Sequence, residues 1–273
     1  MRRATASALG RHALLIAGAA LVVMPFLWMF TTSLQSRAET YSNGSILPTS
    51  WHWENYAVAW EAAPFGQYYL NSVIMAAGIV TGHLVLDAFA AYAFARLRFP
   101  LKNALFVVLL AALMIPTFVT IIPAYSLVAS FGWIDTYWGL IVPRLADVFG
   151  IILLRQYFAS IPAELEEAAR IDGLGRFGIF FRIVVPLSLP AFATLGIFSF
   201  LFAWNDFLWP LLVTNSDELR TIQIGLSAFQ GRYGTSWNYL MAGTLTATVP
   251  SIIVFMFFQR ALIRGIAASG LKD

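Results

Sequence analysis

Asn205 and Asp206 lie between two tryptophans, Trp204 and Trp209, in a stretch that is otherwise apolar. A carboxylate beside aromatic rings can hold a sugar, because the carboxylate accepts hydrogen bonds from hydroxyl groups while the rings cover C–H faces. The same residues also suit helix packing and anchoring at a membrane interface. Trp204, Asn205 and Asp206 are therefore candidates for a solute pathway, and helix packing is the alternative.

Two further groups of charged residues lie within apolar stretches. Arg144 and Asp147 are three residues apart, so on one helix they would neutralise each other, or one of them would form a gate contact. Asp87 follows His83 by four residues, which suits a hydrogen bond to a neighbouring helix or a proton relay. Charged side chains inside a membrane are costly, so we expect all of these to face other helices or water.

The chain lacks residues that most enzymatic or metal chemistry would need. It contains no Cys, and its three His residues are scattered at positions 12, 52 and 83. No GxxxxGK[ST] sequence occurs, and neither of the two lysines, Lys102 and Lys272, follows a glycine. We therefore predict no catalytic residue, no metal site and no nucleotide-binding loop in this chain.

The composition is that of a membrane protein. Hydrophobic residues make up 59% and charged residues 11%, with a mean hydropathy of +0.74. Soluble domains usually carry about 25% charged residues, so a soluble enzyme and a nucleic-acid-binding domain are excluded. One span needs about 20 apolar residues, and the sequence predicts an all-α integral membrane protein with six spans in a single domain. The predicted spans are about 13–34, 68–95, 103–128, 139–158, 187–213 and 238–259.

The distribution of arginine and lysine predicts the orientation. With the N-terminus in the cytoplasm, 13 of the 17 basic residues lie on the cytoplasmic side, as the positive-inside rule requires. Six spans then return the C-terminus to the cytoplasm as well. The first apolar run is longer than the core of a signal peptide, so we expect it to stay as an uncleaved span. Within the third span, Pro116 and Pro123 predict a break or kink.

The segment 160–186, between the fourth and fifth spans, predicts a helix, a glycine turn and a second short helix. Pro162 suits the first position of a helix, and the three glutamates after it fall where the helix macrodipole favours anions. Gly173 would end this helix, because glycine accepts the left-handed conformation. One face of the helix would carry Leu165, Ala168, Ala169 and Asp172.

The same segment resembles the EAA loop of ABC-importer permeases. The resemblance rests on Glu167-Ala168-Ala169, Gly173, Ile183 and Pro186 at the spacing of that loop. Leu174 stands where alanine often follows the glycine, and Val185 stands where leucine often precedes the proline. Other segments are similar to the carbohydrate-uptake branch, and within it to the smaller permease subunit of maltose-type importers. These segments are Asn55-Tyr56, Asn71-Ser72, 90–100 and 203–207.

The resemblance implies a function and a set of partners. It implies a permease in the bacterial inner membrane that imports a sugar or related solute delivered by an extracytoplasmic binding protein. It also implies a second, homologous permease and two cytoplasmic ATPase subunits, which would bind ATP and Mg²⁺. The coupling residues that it implies are Glu167, Ala168, Ala169, Asp172, Gly173 and Leu174.

A proton- or sodium-coupled secondary transporter is the alternative function. It would account for Asp87 and Asp206 inside apolar stretches. It would not account for the loop at 160–186, and the sequence shows no repeated pair of broken helices of the kind that such transporters use.

Overall fold

The computed structural model describes residues 2–42, 46–231 and 234–270, with side chains described for 10–42, 46–227, 229–230 and 235–259. The described chain is almost entirely helical, apart from its loops and one pair of two-residue antiparallel strands, β1 (Gln230–Gly231) and β2 (Gly234–Thr235). In chain order, the α-helices are α1 (Arg2–Ser33), α2 (Arg37–Tyr41), α3 (Glu54–Glu61), α4 (Phe65–Gly82), α5 (Ala88–Arg96), α6 (Lys102–Ala112), α7 (Thr117–Ser130), α8 (Tyr137–Ile141), α9 (Val148–Ser160), α10 (Ala163–Ile171), α11 (Arg176–Ile179), α12 (Val185–Leu187), α13 (Leu189–Asn205), α14 (Leu208–Val213), α15 (Ile222–Leu226) and α16 (Trp237–Gly270). Shorter turns are π-helical at His83–Asp87 and Phe180–Val184, and 3₁₀-helical at Val142–Arg144, Asp217–Leu219 and Ser227–Phe229.

Three helical stretches are long and apolar enough to cross a membrane: Gly10–Ser33, Phe65–Arg96 and Trp237–Gln259. Three bent pairs of helices pass the same test together. These pairs are α6 with α7, the stretch Tyr137–Arg144 with α9, and the stretch Arg176–Leu187 with α13. The described chain therefore has up to six spans if each bent pair crosses the membrane once.

The predicted break in the third apolar stretch is present. The axes of α6 and α7 differ by 101°, and Pro116 is the residue that precedes α7. Pro116 cannot donate a backbone hydrogen bond to a preceding turn, so the helix restarts there. Pro123 lies inside α7, and the helix continues through it.

The prediction that Arg144 and Asp147 share one helix is wrong. Asp147 has extended backbone angles (φ −135°, ψ 133°) and precedes α9, while Arg144 ends the turn before it. The two helical stretches meet at 42°. The backbone amide of Asp147 at this break is paired, because it donates a hydrogen bond of 3.0 Å to Oδ1 of Asp87.

The stretch 187–213, predicted as one span, is not one helix. The chain turns by 78° at Ser188, and α13 ends at Asn205. Asp206 has extended backbone angles, and its Oδ1 accepts the amide of Trp209 at 3.2 Å, which satisfies a free donor in the first turn of α14.

Contacts divide the chain into two compact units, and the first comprises Met1–Gly66 and Gly225–Val249. In this unit, the Asn55 side chain donates hydrogen bonds of 2.9 Å to the carbonyls of Ser33 and Gln35, which joins the end of α1 to α3. A capping box of Ser36 and Glu39 starts α2. The Thr49 hydroxyl forms a hydrogen bond with the Glu39 carboxylate, and the Ser36 hydroxyl and the backbone amides of Ser36 and Thr49 add further hydrogen bonds. Together these bonds lower the pKa of Glu39 to about 2.

The second unit comprises Gln67–Ile224 and Pro250–Asp273, and its core lies where α5 packs against α9. Ala88 and Ala91 of α5 are buried beside Leu154 and Phe158 of α9. Small residues let the helix axes approach closely, as ridges enter grooves. Gly82 of α4 allows a similar close approach, because a Cβ atom there would lie 2.6 Å from the carbonyl oxygen of Leu145.

We predict that Gly82→Ala destabilises the folded protein. The added methyl group would meet backbone of the facing segment, and overpacking of this kind costs about 1–3 kcal/mol. Gly196→Ala is the matched control, since a Cβ atom at this helical glycine would meet no atom within 4 Å. The control should be neutral or more stable by about 0.5–1 kcal/mol, because alanine favours the helix. Thermal unfolding of the purified protein in detergent measures both, and equal midpoints for the two variants would contradict the prediction.

Candidate functional site

The 160–186 segment forms α10, a turn at Gly173 and then α11. Gly173 has φ +85°, so the left-handed conformation expected of it is present. The Leu174 amide donates to the Ala169 carbonyl at 2.9 Å, and the Gly173 amide donates to the Arg170 carbonyl at 3.0 Å. These two bonds form a Schellman motif, which fixes the direction in which the chain leaves α10.

The six residues predicted to couple this loop to a partner lie in different environments. Glu167, Ala168, Asp172 and Gly173 are exposed, Leu174 is half-buried and Ala169 is buried. The face predicted from helical spacing is therefore divided, because Ala169 packs into the hydrophobic core of the second unit. Large apolar side chains are exposed beside the others: Leu165 on 44% of its surface, Ile171 on 87% and Phe177 on 72%.

Glu166 is the buried acid of α10, and spacing alone did not distinguish it from its neighbours. Its Oε1 lies 3.0 Å from Nε of Arg96, in an ion pair without the alignment of a hydrogen bond. A second, longer contact of 3.7 Å joins Oε2 to Arg170 on the same helix. The exposed fraction of the Glu166 side chain is 5%, so the acid is held against the bundle rather than offered to solvent.

Arg144 pairs with Asp206 rather than with Asp147. Nη2 of Arg144 lies 3.5 Å from Oδ2 of Asp206, and the guanidinium stands 5.4 Å from the ring centres of both Phe202 and Trp209. The mutual neutralisation predicted for Arg144 and Asp147 is therefore wrong, because the helix break separates them. Two aromatic faces and a carboxylate thus compensate the half-buried guanidinium.

The three predicted solute-pathway residues also lie in different environments. Trp204 is buried at 1% exposure, whereas Asn205 is exposed and donates its side-chain amide to the Leu201 carbonyl at 2.8 Å. The carboxylate of Asp206 forms the ion pair with Arg144. A cavity of about 110 Å³ opens beside that ion pair, and its lining includes Thr117, Thr120, Arg144 and Trp209.

His83 and Asp87 fix the π-helical turn of the second apolar helix against the break in the fourth stretch. The two ring nitrogens of His83 form hydrogen bonds of 2.7 Å with the Ser199 hydroxyl and 2.8 Å with the Arg144 carbonyl. Asp87 accepts the Asp147 amide. A structural hydrogen bond, one of the two roles predicted for Asp87, is therefore present. Among the described residues, no group of three or more His, Asp and Glu side chains could hold a metal ion.

We predict that Asp206→Leu and Arg144→Met each destabilise the protein by about 3 kcal/mol. Each change leaves a buried charge without its partner, and the cost of breaking such pairs is about 3–5 kcal/mol. The double variant should recover most of the loss, because apolar pairs of similar volume replace buried ion pairs well.

Thermal unfolding of the purified protein measures this double-mutant cycle. The control is Asp217→Asn, which breaks the exposed pair of Asp217 with Arg220 and should cost about 0–1 kcal/mol. Additive losses in the double variant would show that Arg144 and Asp206 do not act as a pair.

Comparison with known proteins agrees with this architecture. Residues 84–268 match the family described as "Binding-protein-dependent transport system inner membrane component". The chain is 38% identical over 253 residues to the probable ABC transporter permease protein YurM of Bacillus subtilis, covering 92% of this chain and 84% of that one. It is 34% identical over 267 residues to the sn-glycerol-3-phosphate transport system permease protein UgpE of Yersinia pestis, covering 94% and 95%. It is 35% identical over 255 residues to the diacetylchitobiose uptake system permease protein NgcG of Streptomyces coelicolor, covering 92% and 84%.

A solved structure has the same fold. A chain of a bacterial ABC transporter involved in the import of the acidic polysaccharide alginate superposes with a TM-score of 0.84 at 22% sequence identity, covering 96% of this chain and 98% of that one. The family match and the curated relatives exclude the secondary transporter that the buried acids alone would have allowed. The chain belongs to the family of inner-membrane components of binding-protein-dependent transport systems, the permeases of ABC importers.

Proposed function

We propose that this permease imports a sugar or a related polyhydroxylated solute and works as half of a heteromeric translocation pathway. The whole chain acts as one transmembrane domain, with six spans and both termini in the cytoplasm. The names of the relatives support the solute class, because they include transport of sn-glycerol-3-phosphate and uptake of diacetylchitobiose. A second, homologous permease completes the pathway, and an extracytoplasmic binding protein delivers the solute.

Two cytoplasmic ATPase subunits supply the energy, and they bind the ATP and Mg²⁺ that this chain has no loop to hold. The observation that carries this proposal is the loop at 160–186, where α10 and α11 expose apolar side chains around the Gly173 turn. Leu165, Ile171 and Phe177 would be costly in water, so a partner surface covers them. The contact residues on this chain are the exposed Glu167, Ala168, Asp172 and Gly173 with the half-buried Leu174, while Ala169 supports them from the core.

Transport follows alternating access. Closure of the ATPase subunits on ATP draws the loops of both permeases together, and the spans rotate as rigid bodies between inward-open and outward-open states. Asn205 is exposed at the end of α13 and borders the pathway, whereas the buried Trp204 and the ion-paired Asp206 support this end of the helix. The Arg144–Asp206 pair limits the direct contact that Asp206 makes with solute, so Asn205 is the hydrogen-bonding group that solute reaches first.

The solute class is testable in whole cells. Uptake of labelled glycosides and of sn-glycerol-3-phosphate is compared between cells with the complete importer and cells that carry an inactive loop variant. We expect uptake of one of these solutes to depend on the loop. Loop-dependent uptake of an amino acid or a metal ion instead would overturn the solute class and leave the family intact.

We predict that Gly173→Val uncouples transport. The position has open space for a side chain, so the effect comes from the backbone, where φ +85° costs a β-branched residue about 1–3 kcal/mol. Uptake should fall at least tenfold while the permease still reaches the membrane. The control is Gly175→Ala, since Gly175 has φ −73° and equal space, and this variant should transport normally. Equal uptake by the two variants would argue against the loop assignment.

Glu167→Lys tests the surface of the same loop without changing its backbone. The side chain is exposed on α10, so the variant should fold and insert normally. Reversal of its charge should weaken copurification of the ATPase subunits and lower uptake. Normal uptake with full copurification would remove Glu167 from the contact.

A further inference from the structure

Arg96 joins three elements at one end of the second unit. It is the last residue of α5, and its Nη2 donates hydrogen bonds to the carbonyl oxygens of Phe158 and Ile161. Phe158 lies in the last turn of α9, and Ile161 follows that helix. Its Nε faces the carboxylate of Glu166 on α10 at 3.0 Å. One guanidinium therefore ties the end of α5, the end of α9 and α10 together.

Both members of this contact are shielded from solvent. The exposed fraction is 13% for the Arg96 side chain and 5% for Glu166. Arg170 also approaches Glu166, but at 3.7 Å and with 56% of its side chain exposed, so solvent screens that contact. Arg96 is therefore the partner that fixes the position of Glu166.

The other described attachment of α10 to the core is apolar. Ala169 is buried among the core residues of the second unit, and its methyl group holds α10 close to the core without forming a hydrogen bond or an ion pair. The Arg96 contact does have a direction, since its planar guanidinium is fixed by two carbonyl oxygens while it faces the carboxylate. A displacement of α10 along its axis is thus resisted mainly through Glu166.

We propose that Arg96 and Glu166 form a positioning clamp that makes the helix ending at Arg96 move with α10. This inference rests on the proposed function, in which α10 contacts the ATPase subunits. With the clamp intact, movement imposed on α10 reaches α5 and α9. Without it, α10 keeps its Ala169 contact and its short link to α9 through Ile161 and Pro162 but loses its ion pair with the end of α5, and ATP is hydrolysed with less transport. Neither residue touches solute or nucleotide in this role.

The test uses the complete importer in proteoliposomes, with partner permease, ATPase subunits and binding protein. The variants are Glu166→Gln, Arg96→Gln and the double exchange Arg96→Glu with Glu166→Arg. Glu164→Gln is the matched control, because Glu164 is an exposed acid in the first turn of α10. The measured quantity is solute transported per ATP hydrolysed, together with the amount of ATPase subunit that copurifies.

We expect each single variant to lower transport per ATP at least fivefold relative to Glu164→Gln, with the ATPase subunits still copurifying at wild-type stoichiometry. The double exchange should restore part of this ratio, because the ion pair is re-formed but the Phe158 and Ile161 carbonyls lose their donor. If the single variants fail to reach the membrane, only the double exchange and Glu164→Gln are compared. Solute transport per ATP in the double exchange that is within twofold of the Glu164→Gln value then supports the clamp.

Three results would overturn the clamp: a normal ratio in both single variants, loss of ATPase copurification in Glu166→Gln, or a double exchange no better than the single variants. Gly173→Val is measured in parallel to separate this inference from the proposed function. If Gly173→Val uncouples transport while the Glu166 variants do not, only the clamp is wrong. If Gly173→Val is also normal, the assignment of the loop itself fails.

Discussion

The cost of leaving a charged or polar group unpaired in an apolar environment governs two of the helix breaks in this chain, at Asp147 and at Asp206. Each buried charge described above has found a partner at a helix end or a helix break. Asp87 takes the amide freed by the break at Asp147, and Asp206 takes an amide of α14 where α13 has ended. The breaks expose backbone donors and the acids satisfy them, so neither would be stable without the other.

These polar contacts form a continuous series through the second unit. It starts at Glu166 on α10 and passes through Arg96 into α5, which continues into the π-helical turn that contains Asp87 and His83. His83 holds the carbonyl of Arg144. The side chain of Arg144 then pairs with Asp206 at the end of α13. The exposed loop and the helix end beside Asn205 are thus joined by a series of ion pairs and hydrogen bonds.

The sequence was sufficient to predict the fold class, the helix–turn–helix loop and the break at Pro116, because each depends on local chemistry. Hydropathy marks the apolar stretches, Gly173 marks a left-handed turn and Pro116 removes a backbone donor. The partners of the buried charges were not predictable in this way. Asp147 is closer to Arg144 in sequence than Asp206 is, and only the break before α9 makes the distant acid the correct one.

Glu166 was missed for a related reason. It stands in a run of acids, and helical spacing cannot say which of them faces the bundle until the position of Arg96 is known. A signal was nevertheless present, since Arg96 ends an apolar span and a cation there needs an acid from a neighbouring loop. Ala169 was assigned to the partner-facing surface because alanine suits close approach. The close approach it makes is to the core of its own chain.

The packing between the second and fourth apolar stretches determines how a displacement at the loop would spread. Gly82 brings the backbone of α4 against Leu145, and alanines of α5 lie against α9, while a cavity of about 680 Å³ lined by residues of both stretches remains beside the Gly82 contact. Closely packed helices of this kind move together rather than slide. The bends between α6 and α7, at 101°, and at Ser188, at 78°, interrupt regular helical hydrogen bonding in the same unit. In the proposed coupling, movement of α10 would therefore reach α5 and α9 together, because these two helices pack directly against each other, whereas the helices beyond the two bends lack a continuous helical connection to them.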